Sequence, residues 1–146
     1  MRLEINKRDS RILMIRFRNK KEMNERLDEI SNRYEGKIEN REGHNFPVEY
    51  ILSSDKLYEY IRENKIRYVI GVYNSKSIRH EELHARYYLD KEYRDKIKRE
   101  WEEMDDRMRE NIEKFLIKLG YSERVMVDEY QAYRYSEKDN FFGVRL

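Results

Sequence analysis

Two histidines four residues apart, with a glutamate directly after the first, stand at His80-Glu81-Glu82-Leu83-His84. On a helix, positions i and i+4 share a face, so His80 and His84 can present two imidazole nitrogens to one ion. The chain has three histidines and no cysteine, so any metal must be held by His, Asp or Glu, and a thiol nucleophile is excluded. A catalytic zinc takes three protein ligands and leaves a fourth position to water, whose pKa falls to about 7. Glu81 leaves the helix about 100° away from His80. From there it can take a proton from such a water and pass it to a leaving amine. Two surface histidines on a charged helix would give the same pentapeptide with no metal.

The third ligand has three candidates: Glu129, His44 and Asp128. In the last predicted helix Val125, Glu129, Ala132 and Tyr133 fall on one face, so Glu129 stands where an inward apolar residue is expected. A carboxylate aimed at a core costs on the order of several kcal/mol unless it is paired or metal-bound. That argument favours Glu129. His44 lies in a turn-rich stretch with nothing in its local pattern to orient it. A developing oxyanion would need a second donor, and Tyr133, one turn beyond Glu129, comes before Tyr130 and Tyr135.

The elements that must position these residues are legible as hydrophobic periodicity. Residues 11–17, RILMIRF, form a β-compatible run, and Leu3 with Ile5 alternates as a partner strand. From Asn19, an N-cap, Met23, Leu27, Ile30 and Tyr34 recur at helical spacing until Gly36 stops them. The following loop holds His44 and the only proline, and leads into a short extended segment near residues 48–52. Ser54 starts a short helix through Leu57, Tyr58 and Ile61, and IRYVIGVY (66–73) reads as a strand. This strand runs almost directly into the metal-motif helix, which begins near Ser77 and breaks at Asp90. One long helix is then expected, with Ile97, Trp101, Met104, Met108, Ile112, Phe115 and Leu119 as its apolar stripe and Gly120 as its stop. The stripe reads as core, with a coiled-coil partner face as the alternative. Ser122 is the expected cap of the final helix, and DNFFGVRL is expected to close the chain as a strand or tail.

HEELHARYYLD followed by DEYQAYRY resembles the zincin metallopeptidases, in particular the gluzincin branch, over roughly residues 66–135. The resemblance implies a zinc held by His80, His84 and Glu129, with Glu81 as general base. It also implies that IRYVIGVY is the edge strand along which an extended peptide pairs by strand addition. Gluzincins often place an aspartate four residues after the ligand glutamate to orient a histidine. Tyr133 stands there, and Asp128 is the residue available for that role.

Composition narrows the remaining classes. Thirty-two basic residues oppose thirty acidic ones, for a net charge of +2, and the signs are interspersed. Lys7, Arg8, Arg11, Arg16 and Arg18 are therefore read as a solvated strand face and not as a nucleic-acid footprint. No stretch is apolar enough to cross a membrane, and MRLEINKRDSR has no signal-peptide run, so a soluble cytoplasmic product is expected. Thirteen tyrosines and two alanines imply a core of Ile, Leu, Met and half-buried rings. The bias towards Lys, Glu and Arg with a single Gln suits a thermophilic or viral source.

The sequence thus predicts one α+β domain over residues 1–146, mostly helical. A sheet-containing part spans 1–73, and a helical part with a minimal zincin-like core spans 74–146. The expected function is zinc-dependent hydrolysis of a peptide bond in a peptide or protein substrate. The alternative is a zincin-like domain that cleaves nothing and serves as a structural or interaction module, as in a virus particle. Nothing in the sequence sets the oligomeric state.

Overall fold

The first two apolar runs build a hairpin. Arg2–Ile5 (β1) pairs antiparallel with Ile12–Arg16 (β2), Leu3 standing opposite Ile15. His44–Pro47 (β3) pairs antiparallel with Tyr68–Val72 (β4), and β4 runs parallel to β2. The structure, a computed structural model, describes residues 1–138 and 140–143. Its sheet order, β1-β2-β4-β3, corrects the expectation that residues 66–73 form an edge strand. Every residue of β4 is buried, and a strand apolar on both faces belongs in a sheet interior. The edge beside it is β3. This also moves His44 out of a loop and into a strand, while the extended segment expected at 48–52 is a 3-10 turn at Val48–Tyr50.

The fold is α+β, with the small sheet in the N-terminal half and helices on both of its faces. Lys20–Glu35 (α1) starts at Asn19, whose side chain accepts from the Glu22 amide, and ends at Gly36 with φ +91°. Met23, Leu27 and Ile30 of α1, with Leu57 and Ile61 of the short helix Leu57–Glu63 (α2), cover Leu13, Ile15, Phe46 and Val69 on one face of the sheet. Gly71 belongs to that face because a Cβ there would collide with the Leu27 side chain. The opposite face presents Ile12, Met14, Tyr68, Ile70 and Val72 to Ala85 of Ile78–Leu89 (α3). Each fully buried Leu or Ile contributes roughly 1.5–3 kcal/mol, which offsets the polar groups this core also encloses.

Helix α3 lies between the sheet and a C-terminal helical layer. Asp90 ends it and caps Lys91–Glu103 (α4) through the Tyr93 amide. The long helix expected after Asp90 is two helices. Met104 adopts an extended conformation, ψ 143°, and Asp105 caps a new helix, Asp106–Lys118 (α5), by accepting from the Arg107 and Met108 amides. The apolar stripe runs through the break, so Ile97, Trp101, Met104, Met108, Ile112 and Phe115 still pack together, in a core with Leu83, Met126, Tyr130 and Ala132, while Leu119 is left 45% exposed. Ser122 makes no side-chain cap; residues Glu123–Val125 form a 3-10 turn that leads into Met126–Ser136 (α6). Phe141 and Phe142 pack on Phe115 and Tyr133. Asp139 and residues 144–146 of the expected closing strand lie outside the described residues. No described helix is long and apolar enough to cross a membrane.

Candidate metal centre

Helices α3 and α6 pack face to face, and this brings the two halves of the sequence motif together. Ala85 and Leu83 fix the rotation of α3, one against the sheet and the other against the helical layer. The face between them carries His84, which is 1% exposed. Ala132 and Tyr130 of α6 both pack in the helical layer, and Glu129, 2% exposed, meets His84. Glu82 lies on another face, where its carboxylate accepts from Asn6 of the sheet hairpin.

The imidazole Nε2 atoms of His80 and His84 stand 3.1 Å apart. The Glu129 carboxylate straddles them, Oε1 at 3.3 Å from His84 Nε2 and Oε2 at 3.8 Å from His80 Nε2. Four ligands placed tetrahedrally about 2.0–2.1 Å from a zinc ion would be about 3.3 Å apart, so these spacings bracket what one ion requires. One donor atom from each of the three residues can be chosen so that all lie within 4.8 Å of one another. No protein family, curated protein or solved structure matches the chain.

The partners of the other ring nitrogens fix which atoms face inward. Ser136 Oγ donates to the Ala132 carbonyl (2.6 Å), so its lone pair is left to accept from His80 Nδ1 at 3.2 Å. Asp128 Oδ1 lies 2.9 Å from His84 Nδ1, approaching off the N–H axis. Asp128 is itself held by Gln131 Nε2 (2.9 Å), which also donates to the Leu83 carbonyl, while Tyr93 donates to Gln131 Oε1 at 2.7 Å. With a proton on each Nδ1, both Nε2 lone pairs and a carboxylate converge on one point. In that state three acceptors meet without a donor, which is repulsive unless a cation lies among them: a metal ion or, in its absence, the proton that Asp128 and Glu129 hold on His84.

The local electrostatics ask for the same thing. Burial holds His80 well below the ordinary histidine range, and His84 adds to this. For His84 burial opposes the charge, but Asp128 and Glu129 outweigh it and push the ring well above its usual value. Burial raises Glu129 against the pull of His84. It also raises Glu81 to about 8, with His84 opposing and Glu129 and Glu35 adding to the shift. Glu35 is pushed up to about 7 by burial and by Glu129, against Arg41. Three buried carboxylates thus share a field in which a protonated His84 is the nearest compensation. Glu129 Oε2 and Glu81 Oε2 are buried with no hydrogen-bond partner. His80, His84 and Glu129 therefore form a group that could hold a metal ion.

These residues open on a cleft of about 470 Å³ that Glu81 and Tyr133 also line. Glu81 fits against Gly43, just before β3, where a Cβ would come within 2.9 Å of Glu81 Oε1. Tyr133 lays its ring against His80, centroids 4.5 Å apart, and shares a hydrogen bond with Tyr121, hydroxyl oxygens 3.0 Å apart. Tyr130 and Tyr135 do not reach the cleft, because both hydroxyls donate to Glu100. His44, the other ligand candidate, is not at the site. Its Nδ1 meets Ser31 Oγ and its Nε2 meets Asn24 Oδ1, both at 2.7 Å, which satisfies a neutral ring completely. Asp128 touches His84 from behind and supports it.

Several participants carry no sequence signal strong enough to single them out. Ser136 and Gln131 are ordinary helix residues until α6 meets α3. Tyr121 is one of thirteen tyrosines. Arg41, buried in a loop, binds Glu35 at 3.2 Å, Asn32 at 2.7 Å and the Gly36 carbonyl at 2.9 Å, which pins the segment forming one wall of the cleft.

Proposed function

We propose that the chain is a zinc-dependent peptide hydrolase of the gluzincin type, with His80, His84 and Glu129 as the ligands. The observation that carries this reading is the convergence of two inward-facing Nε2 atoms and a buried carboxylate at spacings suited to one tetrahedral ion. Two imidazoles and one carboxylate are a donor set that zinc accepts readily. Zinc held there would supply a Lewis acid and a water that ionises near neutral pH.

The remaining steps belong to the chain's own groups. Glu81, which lines the cleft beside His80 and His84, takes a proton from the attacking water and returns it to the leaving amine. Tyr133, paired with Tyr121, is the donor for the developing oxyanion. Ser136 accepts from His80 Nδ1, and the Asp128 carboxylate beside His84 Nδ1 would favour a proton there, which leaves each Nε2 to the metal. An extended substrate would lie along β3, the edge strand whose Asn45 lines the cleft.

A purely structural site would be closed by a fourth side chain. Among the described residues the group contains three, and it faces a cleft large enough for a peptide segment. This favours hydrolysis over the inactive module. The test is incubation of zinc-loaded protein with a library of unstructured peptides, read by mass spectrometry, beside Glu81→Gln. New termini in the wild type that vanish in Glu81→Gln support the reading. Cleavage that survives the substitution, or no cleavage by zinc-loaded protein, contradicts it.

A further inference from the structure

A second concavity, of about 480 Å³, lies on the other side of Asp128 and shares no lining residue with the metal cleft. Its walls are three tyrosines, Tyr34, Tyr87 and Tyr88, and three arginines, Arg67, Arg94 and Arg124. Asp128 is the single carboxylate lining it, and its Oδ1 is committed to Gln131 and His84.

The three arginines differ from those that line the other concavities beside a carboxylate: Arg11 pairs with Asp9, Arg86 with Asp90 and Arg41 with Glu35. Among the described residues no carboxylate lies within salt-bridge distance of Arg67, Arg94 or Arg124. Two of them are placed by main-chain oxygens. Arg94 donates to the Tyr87 and Tyr88 carbonyls at 3.0 and 2.8 Å, and Arg124 donates to the Tyr34 carbonyl. Carbonyls orient a guanidinium without cancelling its charge. Three positive forks therefore surround one hollow, and their free N–H groups match the oxygens of a phosphate.

The tyrosines supply a different surface. Tyr34 is braced by Tyr50, centroids 5.0 Å apart, and Tyr88 by Tyr68 at 5.1 Å, while the Tyr88 hydroxyl is tied to Glu49 at 2.8 Å. Braced rings beside unpaired guanidiniums suit a ligand that is anionic at one end and planar at the other. The volume falls in the range of small-molecule sites. We propose that this pocket binds a nucleoside phosphate, its phosphate held by Arg67, Arg94 and Arg124 and its base packed on Tyr34, Tyr87 or Tyr88. The proposal does not rest on the hydrolase reading, since no residue lining this pocket lines the metal cleft; Asp128 alone touches both, through His84.

The test is calorimetric titration of the full chain with each of the four common nucleoside monophosphates, with inorganic phosphate and the free nucleosides alongside. At least one nucleotide should bind saturably, about tenfold or more tighter than either fragment, and more weakly as salt rises. Arg67→Gln and Arg124→Gln should each weaken it by about tenfold. Arg67 makes no side-chain hydrogen bond among the described residues, so Arg67→Gln keeps the test decisive if Arg124→Gln folds poorly. Absence of saturable nucleotide binding overturns the proposal. So does inorganic phosphate or a nucleoside binding as tightly as the nucleotide, or an affinity unchanged in Arg67→Gln.

Discussion

Replacing Asp128 by Asn isolates what a supporting carboxylate contributes to the metal centre. The amide oxygen can still accept from Gln131 Nε2 and face His84 Nδ1, now 2.9 Å from Oδ1, so the shape of the site survives and the charge is lost. Aligned on metal binding, a hydrogen bond from His84 Nδ1 to a charged partner is worth about 1.5–3 kcal/mol net, against about 0.5–1.5 for a neutral pair. The difference of about 1–2 kcal/mol corresponds to roughly a five- to thirty-fold loss of zinc affinity. Protons complicate the measurement in a predictable direction. Without metal, Asp128 and Glu129 overcome burial and keep His84 protonated well above its usual range, so zinc must displace that proton. Losing Asp128 lowers the basicity of His84 and eases this competition. The deficit of Asp128→Asn should therefore be small at neutral pH and approach its full size as pH rises past the titration of His84. Competition against a chromogenic chelator at several pH values measures it. Equal affinities of the two proteins at alkaline pH would refute the supporting role of Asp128.

Three further perturbations follow from single contacts. Gly43→Ala places a Cβ 2.9 Å from Glu81 Oε1; it should leave zinc binding intact and lower peptide hydrolysis by about tenfold or more, and unchanged turnover would argue that Glu81 is not held by this contact. His44 is depressed by burial and by Arg41 from 6.5 to about 3. As pH falls the unfolded chain takes up this proton first, so stability present above the unfolded value is lost between the two, at up to about 1.4 kcal/mol per pH unit. Thermal melts across that window should fall more steeply for the wild type than for His44→Gln, and parallel slopes would contradict the buried neutral ring. Asp105→Ala removes the cap of α5 and should cost about 1 kcal/mol in chemical denaturation; a change near zero would mean that the break at Met104 is set by packing alone.

Local patterns in the sequence carried the elements, and contacts between elements carried the rest. Asn19, Gly36, Asp90 and Leu83 act within a turn or two of chain, and the helices begin, end and face where these residues imply. The break at Met104 escaped because a two-residue connection preserves the i+3/i+4 spacing from Trp101 to Met108; the Asp105-Asp106 pair was the only mark of a new N-terminus. The central place of β4 is a fact about which strand pairs with which, and a short apolar run reads alike at an edge or inside. At the site, Glu129 was found because a carboxylate interrupts an apolar face. His44 looked available because a loop was expected there, and only its packing under α1 shows that Ser31 and Asn24 occupy both nitrogens.

Metal content measures directly whether His80, His84 and Glu129 hold one metal ion. Protein exchanged into zinc and then dialysed should carry one zinc per chain by inductively coupled plasma mass spectrometry, with Glu129→Ala and His84→Ala each retaining less than about a tenth of that. A wild type that retains no zinc, or a Glu129→Ala variant that retains as much as the wild type, would contradict it.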